Sequence, residues 1–169
     1  MMIEDLTDAL GRYVWLQRHL GESLRFWGNS EDDGAVTVYL HEVARRFGDH
    51  SAGWEALLAD SLALDAAERV RAPSPGWEEL FRGASTGTSD RLVILLHVVL
   101  PKLRASLERF AGQLGDVAEA AEARFCAIVA EDLRAIEERG RILLDERATV
   151  PSRRRMSARL GRRLADLSC

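Results

Sequence analysis

Residues 35–61, AVTVYLHEVARRFGDHSAGWEALLADS, decide the fold. Val36, Leu40, Val43, Phe47, His50, Trp54 and Leu57 recur at alternating steps of four and three, which places them on one stripe of a helix. Such a stripe is covered by other helices rather than left in water, and it carries a histidine at its centre. Three further segments repeat the pattern. From about Ile3 to Trp27 the stripe is Leu6, Leu10, Tyr13, Gln17, Leu20, Leu24 and Trp27, stopped by Gly28-Asn29-Ser30. From about Asp90 to Leu114 it is Leu92, Leu96, Val99, Leu103, Leu107, Phe110 and Leu114, with Thr88 or Ser89 as the cap. From about Asp116 to Arg147 it is Val117, Ala121, Phe125, Ile128, Val129, Ile136, Gly140, Leu143 and Leu144, with Asp132 among them.

The sequence therefore predicts an all-α fold of four long helices. Glu31-Asp32-Asp33 precede the second helix and place negative charge at the positive end of its dipole. Residues 63 to 89 contain APSPGW and RGASTGTSD, too rich in Pro, Gly and Ser for one regular element, although Leu64 to Val70 can add a helical turn or two. Helices of about 25 residues are roughly 37 Å long, a length this connection can span, so the second and third helices can run parallel, joined by a crossover. Trp77 and Phe81 are expected to pin it to the core. Pro101 removes a hydrogen bond to the His97 carbonyl and is expected to bend the third helix, whose first half is apolar nearly all round.

Residues 1–150 form the expected helical bundle, and residues 151–169 a short basic fifth helix with Met156, Leu160, Leu164 and Leu167 on one side. Six arginines against the single acid Asp166 give this tail +5, so a chain of net charge −4 carries −9 on residues 1 to 150. The acidic body argues against nucleic acid as a partner, and the tail is expected to pack on or beside it. The two cysteines, Cys126 and Cys169, have neither disulfide-framework nor metal-ligand spacing, no apolar run has the length of a membrane span, and the first residues lack a secretory pattern. These features predict a cytoplasmic protein. Cys126, between Phe125 and Ala127, reads as a small core residue.

Gln17, His50, His97 and Asp132 each lie near a helix midpoint in apolar surroundings. In helices of similar length midpoints share a layer, so at least three of the four are expected to meet in the interior and satisfy one another. A second stripe on the first helix, Trp15, His19, Glu22 and Phe26, implies a second neighbour, either another element or another subunit; Trp15, His19 and Phe26 are the expected interface with a partner or a second copy. His41-Glu42-Val43-Ala44-Arg45 begins like a zinc-protease helix but has Arg where the second His is needed.

With its four long helices, the crossover, the mid-helix polar residues, and Ala130-Glu131-Asp132 followed by RGRILL, the chain resembles the ferritin-like superfamily, small actinobacterial members in particular, over most of residues 3 to 147. Metal-binding members take a Glu from each of two helices and a Glu-x-x-His pair from each of the other two. Here Glu22 matches, but Glu42 is followed by Arg45, Asp49 by Ala52 and Glu131 by Arg134, and His97 stands where a carboxylate is wanted. The resemblance thus implies a bundle that has lost its di-iron centre, without a cofactor, acting as a non-catalytic interaction or scaffold protein. Two alternatives remain open: an iron-dependent oxygenase or hydroxylase using some of Glu22, Asp49, His50, His97 and Asp132, and a bundle that orients a small molecule in its polar layer.

Overall fold

The structure, a computed structural model, describes residues 2–61, 66–77, 87–115 and 117–147, and among them every regular element is helical. Helix α1 is Ile3–Asn29 and α2 is Gly34–Asp60. The Asp33 carboxylate accepts from the amides of Ala35 and Val36 at 3.0 and 3.1 Å and so caps α2. It also binds Arg147, and that guanidinium together with the two amides holds its carboxyl down at about 2. Glu31 has a further task beside its place before α2, where it accepts from the amides of Asp32 and Asp33. It is buried in an ion pair with Arg91 at 3.0 Å, the side chains only 2% and 7% exposed, while Arg91 also donates to the carbonyls of Trp27 and Ser30 at the end of α1. Burial pushes the Glu31 carboxyl up, but Thr88, the Asp33 amide and Arg91 outweigh it and leave it below its ordinary value.

After the short helix α3, Ala66–Arg69, the third long segment comprises α4 (Thr88–Ile94), a π turn (Leu95–Val99) and α5 (Leu100–Ala111). The Leu100 amide reaches back five residues to the Leu95 carbonyl, so the ladder widens before Pro101, which then occupies the first turn of α5 where its missing N–H is harmless. The expected irregularity is thus a widened turn. Thr88 does not cap α4; Gly87 precedes the helix and the Thr88 hydroxyl donates to Glu31. The last long helix, α6, is Ala120–Arg147.

Side-chain contacts fix the directions. Tyr13 stacks on Trp54 at 4.9 Å and Gly28 lies against His41, so α1 and α2 are antiparallel. Arg91 sits at the end of α1 and Ser106 bonds Tyr13 near its start, so α4–α5 is antiparallel to α1 and parallel to α2. Arg147 binds Asp33 and Phe125 meets Trp54, so α6 is antiparallel to α2. The connection from α2 to α4 returns along the helices: α3 lies beside the start of α1, where Arg69 pairs with Asp8 at 2.6 Å, and Trp77 is fully buried. Phe81 and residues 151–169 lie outside the described residues.

One core unites these elements, from Leu10 and Leu24 through Phe47 and Trp54 to Leu103 and Leu144. The expected inward positions of the first three segments are buried or half-buried. On α6 the phase differs: Cys126, Val129, Leu133, Ile136, Gly140 and Leu144 face inward, whereas Ile128 is 57% exposed and Ala121 is exposed, as is Val117, which lies in the turn before the helix. Two close fits set that phase. The Phe125 ring of α6 lies where a Cβ at Gly53 of α2 would come within 2.1 Å, and the Tyr39 hydroxyl of α2 lies 2.3 Å from a Cβ placed at Gly140 of α6. Among the described residues no helix is long and apolar enough to cross a membrane.

Candidate functional site

His50, fully inside on α2, projects to α6, where its Nε2 lies 2.9 Å from Asp132 Oδ2. Arg46, one turn earlier on α2, takes the other oxygen of the same carboxylate. Asp132 is 32% exposed and Arg46 40%, so this end of the chain of charges reaches solvent while the imidazole does not. Burial lowers the tendency of His50 to protonate, more than Asp132 raises it, so the ring is neutral near pH 7. A neutral ring facing a carboxylate donates from Nε2, which leaves Nδ1 as an acceptor.

Behind His50 the interior has polar atoms of its own. Among the described residues the buried side-chain nitrogens and oxygens with no hydrogen-bond partner are His50 Nδ1, Trp54 Nε1, and both ends of the Gln17 amide. They span two adjacent turns of α1 and α2. Ser51 Oγ donates to the Val14 carbonyl and Tyr13 stacks on Trp54, so Gln17, one turn beyond Tyr13, stands opposite the turn that carries His50.

Of the expected four-residue layer, His50 and Asp132 bond, Gln17 is buried at their level, and His97 is elsewhere. His97 is the exposed position in the otherwise buried run from Arg91 to Leu100. A segment apolar nearly all round still has one direction open to water, and the imidazole takes it. The other proposed metal ligands also diverge: Glu22 is exposed, and Asp49 is exposed and paired with Arg45 at 2.9 Å. Glu42 binds Arg139, and Glu131 binds Arg134. Among the described residues no group of three His, Cys, Asp or Glu side chains is placed to share an ion. The chemistry of the donors agrees, since a guanidinium already neutralises the one carboxylate that reaches His50. Cys126 is buried and its thiol is pushed up to about 12 by that burial, so it stays protonated and is not a nucleophile.

Two other surfaces matter. On the outer face of α1, Trp15 stacks on His19 at 4.0 Å, both half-buried, and Phe26 is 62% exposed. Between α1 and α5 lies a pocket of about 200 Å³ lined by Ala9, Arg12, Leu16, Phe110, Arg109 and Gln113, with Pro73 at one side and the Tyr13–Ser106 hydroxyl pair, 2.8 Å apart, in its wall.

Arg46 and Ser106 were absent from the residues singled out by sequence. Arg46 could have been found, because a cation one turn before a seam histidine shares its face; so could Ser106, a hydroxyl on the seam between Leu103 and Phe110. Comparison with family models, curated proteins and solved structures found no significant match.

Proposed function

We propose that this chain is a non-catalytic interaction protein built as a ferritin-like four-helix bundle without a di-iron centre. The observation that carries the reading is the Arg46–Asp132–His50 chain: where the iron alternative needs open carboxylate and imidazole ligands, both Asp132 oxygens are occupied by the protein's own donors. The helix directions support the architecture, since α4–α5 runs parallel to α2 after a long connection and α1 and α6 run opposite to them.

The partner we favour is a second copy, docked through Trp15, His19 and Phe26. Glu22 and Arg25 flank this face as exposed, opposite charges with no ion pair among the described residues, which a two-fold pairing can match across the interface. Light scattering on the purified protein should give twice the chain mass, and Phe26→Glu should return a folded monomer. A wild-type monomer that retains no protein from its native extract overturns the reading. Metal analysis after purification with added iron should find under about one-tenth of an ion per chain, and stoichiometric iron would restore the oxygenase alternative. A small-molecule role is the second reading, favoured by the pocket between α1 and α5.

A further inference from the structure

That pocket has a composition unlike the rest of the body. Residues 1 to 150 carry −9, yet the pocket lining holds two guanidinium groups, Arg12 and Arg109, and no carboxylate. The nearest acid on α1, Asp8, is one turn before Arg12 and its two oxygens are bound by Arg69 at 2.6 Å and Arg71 at 3.3 Å. Neither Arg12 nor Arg109 makes an ion pair among the described residues, although Arg12 lies within the field of Asp8 one turn away, and both are exposed. The inner wall is apolar and aromatic, from Leu16, Phe110 and the Tyr13 ring, itself backed by Trp54. In its wall the Tyr13 and Ser106 hydroxyls bond each other at 2.8 Å.

We infer that the pocket between α1 and α5 is a binding site for a small organic carboxylate with a ring-sized apolar body. Size sets the body: a cavity of roughly 150 Å³ accommodates benzene, so about 200 Å³ takes one ring and a short acidic substituent. Charge sets the head group, because two forked guanidiniums with an amide beside them, from Gln113, bind a planar carboxylate at both oxygens. The ring lies on Phe110 and Leu16 with its acid group toward the arginines at the mouth. This site is independent of the proposed interface, since none of Trp15, His19 and Phe26 lines it.

The test uses the full chain, labelled with ¹⁵N and titrated with benzoate, with its neutral isostere benzamide, and with inorganic phosphate. Benzoate should produce saturable shifts at the Ser106, Phe110 and Gln113 amides, and benzamide should bind at least about tenfold more weakly, as expected for loss of charge-assisted hydrogen bonds. The Arg12→Gln/Arg109→Gln double variant, with wild-type circular dichroism, should weaken benzoate at least about tenfold and leave benzamide nearly unchanged. Ala9→Leu, which fills the pocket, should abolish both. Equal affinity for benzoate and benzamide would reduce the site to an apolar cavity. Phosphate binding as tightly as benzoate would reduce it to a charged patch. No saturation by benzoate below about 10 mM would remove the site altogether, and all three outcomes leave the Phe26 test untouched.

Discussion

The two sides of α2 are joined to the rest of the molecule by different physics. Toward α1 the contact is close and mostly apolar: the Ala44 carbonyl is only 3.1 Å from where a Cβ at Gly21 would be, and Leu20, Leu24, Val43 and Phe47 fill the seam, with the Gln17 amide and the Ser51–Val14 hydrogen bond as the buried polar groups among them. Toward α6 the contact combines two aromatic rings with a row of charges that is partly wet: Glu42 with Arg139, Asp132 with Arg46 and His50, and Asp33 with Arg147. The first seam draws its free energy from excluded water and dense packing. The second draws much of its specificity from charge, which solvent weakens and pH and salt can alter. One helix can thus be locked on one side and adjustable on the other.

Mutations and solution conditions can break or sharpen this contrast. The largest loss is expected on the dry side: Leu20→Ala empties a fully packed position on α1 and should cost about 2–5 kcal/mol in urea unfolding. On the α6 side, Gly53→Ala should cost about 1–3 kcal/mol by displacing the Phe125 ring, despite the better helix propensity of Ala, and Phe125→Leu should recover part of the loss. Acid should act on this seam first. Burial sets His50 below its ordinary 6.5, so the unfolded chain takes up that proton before the folded one. The contribution is complete above about pH 6.5 and declines as pH falls below it, so Tm should drop between about pH 7 and pH 5, and less in His50→Gln. The lowered carboxyls of Asp8, Glu31 and Asp33 act only at lower pH, below their ordinary values of 3.8 to 4.5. The smallest effect is Arg139→Gln, under about 1 kcal/mol and reduced further by salt, because both partners of that pair are about half exposed. An Arg139→Gln loss as large as that of Leu20→Ala would erase the distinction between the two seams.

The dry seam was legible in the sequence and the wet one was not, for a physical reason. A hydrophobic stripe is periodic in one chain segment, so Val36 to Trp54 and Leu10 to Trp27 declare their inward faces without knowledge of the partner. An ion pair between Glu42 and Arg139 has no such period, since it depends on how two helices are offset along their axes. The same limit explains α6, whose abundant alanines allow more than one inward phase; Ile128 fell outside because the Gly53 and Gly140 fits turn the helix toward Val129 and Ile136. His50 and Asp132 could be singled out as mid-helix polar groups. His97 shared their apolar sequence context but not their surroundings, because its exposure is decided by how a widened turn rests on its neighbours. The α1–α5 pocket left no sequence signal, being assembled from residues about 100 positions apart.

The paired insertions of Phe125 at Gly53 and Tyr39 at Gly140 have a mechanical consequence. They stand near opposite ends of the shared length of α2 and α6 and point in opposite senses, like two pegs driven from either board. Axial sliding of one rod along the other would have to shear both pegs at once. Lifting one end frees one peg at a time, so force applied across the joint should open it as a zipper well before force applied along it makes it slip.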